Sequence, residues 1–198
     1  AGGDLRAFAA AENLPALLKE MTTFLHGAIS RLVRLDAPVI CAVNGTAGGG
    51  GLSLIFASDL VYMAESAKLT MGYTAAGLSP DASSTYFLPR LVGLRKAMDL
   101  TLTNRRISAQ EAVDYGIATA SFASREECTE AAHKMALRLA QGPTAAFGAA
   151  KRLLHASFDN SLETQMELES QSIAAISASA DAQEGVTAFL EKRKPKFG

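Results

Sequence analysis

The chain lacks the marks of several broad classes. No apolar run approaches the ~20 residues that a membrane-spanning helix needs, and the first residues lack the basic-then-apolar order of a signal peptide. Net charge is almost absent, −1 at neutral pH over 198 residues, so the sequence offers no electrostatic footprint for nucleic acid or an anionic membrane. Any anionic ligand must be met by local groups. Cysteine is scarce: Cys41 and Cys128 stand far apart, without metal-ligand or redox spacing, and are expected to be reduced, buried thiols in a cytoplasmic protein. There is no internal repeat, low-complexity tract or linker. The sequence starts at Ala1 without a methionine and is expected to be a fragment, or a chain whose start lies upstream.

What remains is globular, 48 % apolar and long enough to bury a core of its own. Over 14–33, apolar residues recur with the three-four spacing of an amphipathic helix, which should stop before Pro38. The continuous apolar run 39–43 predicts a strand buried on both faces, ended by Asn44-Gly45. A short buried helix is expected over 52–57, with strands over 59–64 and 68–71. This alternation indicates α/β layering with partly parallel strands, since parallel neighbours need crossover connections.

Beyond Pro89 no further strand pattern is legible. Ser108-Ala109-Gln110-Glu111 reads as a capping box and Gly116 as a helix stop, and helices are expected over 125–141, 143–156, 161–178 and 181–193. The expectation is an α/β core over 1–120 and a helical region over 121–198, the latter of a size that often covers a neighbouring subunit.

The four consecutive glycines 48–51, between a predicted strand and a helix, let the backbone approach a ligand and leave N–H groups free to face an anion or oxyanion. A tight turn between closely packed elements is the plainer alternative. No Gly-Lys-Ser/Thr follows, so this is not a P-loop.

The run from Pro38-Val39-Ile40-Cys41-Ala42-Val43-Asn44-Gly45 through Gly48-Gly49-Gly50-Gly51-Leu52-Ser53-Leu54, with Ala1-Gly2-Gly3-Asp4-Leu5 upstream, resembles the two signature segments of the crotonase (enoyl-CoA hydratase/isomerase) superfamily. The resemblance continues through Gly77-Leu78-Ser79-Pro80-Asp81, Leu88-Pro89-Arg90-Leu91-Val92-Gly93 and the stretch from Glu184 to Arg193. It implies a spiral of ββα turns with a helical C-terminal region that forms trimers, possible pairing into hexamers, and an acyl-CoA substrate without metal or redox cofactor.

The resemblance further implies that the peptide N–H groups of Gly3 and Gly50 hold the thioester oxygen. Preorganised donors of this kind are worth roughly 3–4 kcal/mol each to an enolate-like transition state. Gly49 belongs to the same loop. Asp4 matches the acidic residue of the first motif, with helix capping as its alternative role. Family members carry further residues ahead of this motif that build part of the CoA pocket, and the adenine subsite is not assigned.

The two glutamates of hydratases in this family align with Ser53 and Tyr73. Neither residue type serves as a general base near neutral pH. Asp81 is the remaining candidate, in a motif similar to phenylacetate-pathway enoyl-CoA isomerases, where one carboxylate moves a proton between two carbons. Tyr73, Leu78, Pro80 and Tyr86 are expected to flank and desolvate it. Ordinary turn or N-cap chemistry is the alternative role of Asp81.

The spacing of His26, Pro38 and Asp81 also resembles chlorobenzoyl-CoA dehalogenases, in which a histidine activates water. The alternative role of His26 is a helix boundary residue. Lys192, in the basic tail, is a candidate contact for CoA phosphates or simply a solvated helix end. A hydratase with a relocated base and a catalytically silent acyl-CoA-binding subunit complete the alternatives.

Overall fold

The computed structural model describes residues 2–198. Ala1, first in the predicted N-terminal motif, lies outside the described residues. The chain divides into two compact units, one of Ala1–Val33 with Val39–His133 and one of Arg34–Pro38 with Lys134–Gly198.

The first unit begins with α1 (Leu5–Ala10) and α2 (Leu14–Arg34). Asn13 starts α2 by accepting from the Ala16 N–H at 3.1 Å, and Pro15 is tolerated because first-turn N–H groups have no intrahelical partner. A three-stranded parallel sheet follows in the order β1 (Ile40–Val43), β3 (Leu60–Ala64), β5 (Ala120–Phe122). A second, parallel pair joins β2 (Ala47–Gly48) to β4 (Leu69–Thr70). The crossover from β1 to β3 runs through α3 (Gly50–Phe56), which buries Leu52, Ser53, Ile55 and Phe56.

Two strand expectations need correction. The doubly buried strand is β3, where Met63 and Ala64 are fully buried, whereas in β1 only Val43 is buried. The reason is position: β1 lies at one edge of the three-strand order and β3 at its centre. Strand β5 was not foreseen, because its three residues are too short to display a period. It is specified instead by pairing of Tyr62, Met63 and Ala64 with Ala120, Ser121 and Phe122.

Between the strands lie α4 (Ser84–Val92), α5 (Leu94–Thr103) and α6 (Ala109–Asp114). Gly93, at φ +76°, separates α4 from α5 in a backbone region that favours glycine. The capping box forms as expected: Ser108 accepts from the Glu111 N–H, and Glu111 accepts from the Ser108 N–H at 2.9 Å. Helix α7 (Arg125–Ala140) follows, with Cys128 buried. Burial pushes both Cys41 and Cys128 thiols up from their ordinary pKa.

The second unit is helical: α8 (Thr144–Ala156), α9 (Leu162–Ser177) and α10 (Ala180–Leu190). Ser161 and Ser179 are N-caps, accepting from the Thr164 and Ala182 N–H groups. The final residues fold back on α10. Glu184 accepts from both terminal nitrogens of the Arg193 guanidinium and from the Lys196 N–H, and the Gly198 N–H reaches Asp181. Among the described residues no helix is long and apolar enough to cross a membrane.

Candidate active site

The site grows from the glycine run. Gly49 is the N-cap of α3 at φ +54°, ψ −130°, a conformation an L-side chain rarely adopts. Its N–H is committed to the Met71 carbonyl at 3.0 Å and is therefore not free for a ligand. Gly50 is the first residue of α3, where helix geometry provides no intrahelical acceptor. Among the described residues, no acceptor takes the N–H of Gly3 or of Gly50.

The N-terminal motif lies against this loop. A Cβ on Gly2 would meet the Gly48 carbonyl carbon at 3.2 Å, so glycine is what permits the approach. From the other side, Leu25 of α2 lies 3.7 Å from the position of a Gly50 Cβ.

The next residue of α2, His26, faces the segment after Pro80. Its Nε2 accepts from the Ala82 N–H at 3.1 Å and lies 3.9 Å from the Asp81 carboxylate. Ser53 and Tyr73 converge on the same segment. Their hydroxyls are 3.0 Å apart, and they reach the Asp81 carbonyl at 3.2 and 3.5 Å respectively. The Ser84 hydroxyl donates to that carbonyl at 2.8 Å and the Ser84 N–H at 3.0 Å. Burial, and next the nearby Asp81 carboxylate, push the Tyr73 phenol up to about 12. Tyr73 thus keeps its proton at neutral pH and acts as donor rather than base.

The structure therefore gathers Gly49, Gly50, His26, Ser53, Tyr73 and Asp81 around one loop system, with Gly2, the neighbour of Gly3, against Gly48. Enclosure of Asp81 is less complete than expected: its side chain is 31 % exposed. Tyr86, one of the expected flanking groups, packs edge-on against Phe87 and lies beneath the Arg90 guanidinium at 3.7 Å.

Asp4 caps α1, accepting from the Arg6 and Ala7 N–H groups. Lys192, in the second unit, is an exposed left-handed residue just past α10. Sequence reasoning missed Ser84 and Ala82, since neither carries a motif and only the fold places them at the Asp81 carbonyl and beside His26. Among the described residues no group of three or more His, Cys, Asp or Glu side chains could hold a metal.

A glycine loop at a helix N-terminus beside the Asp81 carboxylate is an arrangement suited to stabilising an oxyanion next to an acid/base group. The sequence matches the enoyl-CoA hydratase/isomerase family over residues 1–198, and the chain belongs to that family. It is 38 % identical to the 1,2-epoxyphenylacetyl-CoA isomerase of Escherichia coli (strain K12), over 92 % of this chain and 70 % of that protein. It is 35 % identical to the 4-chlorobenzoyl coenzyme A dehalogenase-1 of an Arthrobacter species, over 77 % of this chain and 55 % of that one. The crystal structure of an enoyl-CoA hydratase from Polaromonas sp. JS666 superposes with a TM-score of 0.94 at 33 % identity, covering all of this chain and 77 % of that one. The fold is thus the crotonase fold, and the chain is an acyl-CoA-processing enzyme of this family.

Proposed function

We propose that the protein shifts the double bond of an enoyl-CoA, with Asp81 as the acid/base and the N–H groups of Gly3 and Gly50 as oxyanion donors. The observation that carries this reading is the Asp81 carboxylate beside two hydroxyls. The positions aligned with the hydratase glutamates hold Ser53 and Tyr73, hydrogen-bonded to each other and to the Asp81 carbonyl.

One carboxylate suffices for a 1,3-proton shift. Asp81 removes a proton from the carbon next to the thioester carbonyl, the charge moves onto the thioester oxygen between the two glycine N–H groups, and the same carboxyl returns the proton two carbons further on. Water addition through two glutamates at the aligned positions is disfavoured by Ser53 and Tyr73, which stand there. The proton shift needs neither metal nor redox cofactor, and CoA enters as the handle of the substrate. A cytoplasmic homotrimer or hexamer completes the proposal.

A dehalogenase reading is favoured by one observation, the 3.9 Å approach of His26 to Asp81. Against it, the Nε2 lone pair of His26 is already engaged by the Ala82 N–H, and a histidine so engaged does not activate water.

The test is to incubate the protein separately with a beta,gamma-enoyl-CoA and its alpha,beta isomer, and follow both by liquid chromatography with mass detection. Interconversion at unchanged mass, abolished in Asp81→Ala while CoA-ester binding persists, is the expected result. Gain of one water overturns the isomerase in favour of a hydratase with another base. Inertness toward enoyl esters with turnover of a halogenated aryl-CoA establishes the dehalogenase, and inertness toward all of them leaves a silent acyl-CoA binder.

A further inference from the structure

We infer that His26 is a positioning residue: its Nε2, as acceptor of the Ala82 N–H, fixes the Asp81–Ala82 peptide and thereby the direction of the Asp81 carboxylate. The inference rests on the proposal that Asp81 carries the proton.

The Asp81–Ala82 peptide unit is held at both ends. Its carbonyl accepts from the Ser84 hydroxyl and N–H at 2.8 and 3.0 Å, with the mutually bonded Ser53–Tyr73 hydroxyl pair 3.2 and 3.5 Å away to supply one further donor. Its N–H goes to His26 at 3.1 Å. Ala82 is fully buried beneath an imidazole that is itself half-exposed, so removing the ring would hand this N–H to mobile water, which satisfies the donor without fixing the peptide. The backbone here also resists relaxing into an ordinary turn only while it is held. Ala82 and Ser83 sit at φ +50° and +69°, two successive non-glycine residues in the left-handed region.

The same hydrogen bond fixes the tautomer. An Nε2 that accepts carries no proton, so the neutral ring holds its proton on Nδ1. The 3.9 Å between Nε2 and the Asp81 carboxylate is then a contact without a hydrogen bond. Beside the ring, Asp81 is the charged group contributed by the turn, and Tyr73 is the titratable group bonded to it. Helix α3 contributes only glycine, serine and apolar side chains. The imidazole acts on the reaction through the turn and exchanges no proton with substrate.

The decisive comparison is His26→Ala against His26→Gln, whose amide oxygen can accept the same N–H without carrying a proton. His26→Ala is expected to lower kcat for the double-bond shift by roughly 100-fold with KM little changed, the scale of loss for a reacting group displaced by about an ångström. His26→Gln is expected to return kcat to within about one order of magnitude of the parent. Amide exchange of Ala82 should be slow in the parent and in His26→Gln and fast in His26→Ala, with Met63 in the central strand as internal control. Nitrogen-15 NMR of the parent, which needs no variant, should find Nε2 unprotonated and Nδ1 protonated.

A protonated Nε2 in the parent, unchanged Ala82 exchange in His26→Ala, or a His26→Gln as inactive as His26→Ala with its Ala82 amide still protected would each overturn the inference. The exchange and tautomer readouts do not depend on turnover. A parent that shifts no double bond therefore removes the isomerase reading while leaving the clamp to be judged by itself.

Discussion

Exchanging carboxylates for hydroxyls at Ser53 and Tyr73 changes what the surroundings of Asp81 can do with a proton. Ser53 is fully buried, and its hydroxyl has the Gly49 carbonyl, the Tyr73 hydroxyl and the Asp81 carbonyl within reach. Tyr73 completes this group with a proton held up to about 12 by burial and by Asp81. Because the folded state favours the protonated phenol, its contribution to stability is fully present below the ordinary value of 10.0 and is lost as pH rises toward about 12. Tyr73→Phe removes one hydroxyl but leaves Ser53 its carbonyl partners. The expected cost is about 1 kcal/mol, or a fall in Tm of roughly 2–4 °C for a chain of this size. The variant should also lose the part of the alkaline destabilisation that the parent shows between those two pH values. Thermal unfolding of both proteins at a series of pH values checks this, and identical alkaline limbs would remove the phenol from the network.

Among the elements, the C-terminal turn back onto α10 depends on Glu184. Hydrogen bonds from the Arg193 guanidinium, and next the Lys196 N–H, hold the Glu184 carboxyl down to about 2. A depressed carboxylate contributes stability that is present above its ordinary 4.5 and lost as pH falls toward about 2. Glu184→Gln keeps the shape and removes the charge. It should make unfolding less steeply pH-dependent in that acid window and leave residues 191–198 more open to exchange and proteolysis at neutral pH. A parent-like acid limb in the variant would sink this account. Elements with a long period or a local cap were legible beforehand: α2 by its apolar spacing, α6 by its capping box, α9 by its period. Others were not. Strand β5 exists because β3 offers it an open edge, and α4 contains Pro89, a residue disfavoured inside helices. At the site the same division holds. Glycines and an isolated aspartate are visible as residue types, whereas the hydrogen bond from Ala82 to His26 spans 56 residues and is created only by folding.

For the whole molecule, the second unit leaves a good deal of apolar surface in water. None of the side chains of α9 is buried, and Ile173 on α9 and Phe189 on α10 are 73 % and 83 % exposed. Leu162, Met166, Val186 and Leu190 on the same two helices are exposed as well. Monomeric soluble proteins rarely keep so many large apolar side chains uncovered, and burying each fully is worth about 1.5–3 kcal/mol. A second copy of the chain is the simplest cover, since a closed symmetric assembly buries the same patch on every subunit. Sedimentation of the parent should therefore give a trimer, or a hexamer, rather than a single chain. Phe189→Lys should shift the distribution toward single chains, because a charge brought into an apolar contact must be desolvated without a partner. The helical content of the variant should stay unchanged, which separates lost assembly from lost folding. If the parent sediments as one chain at every concentration, these helices do not form the subunit contact, and their apolar side chains then await a different partner.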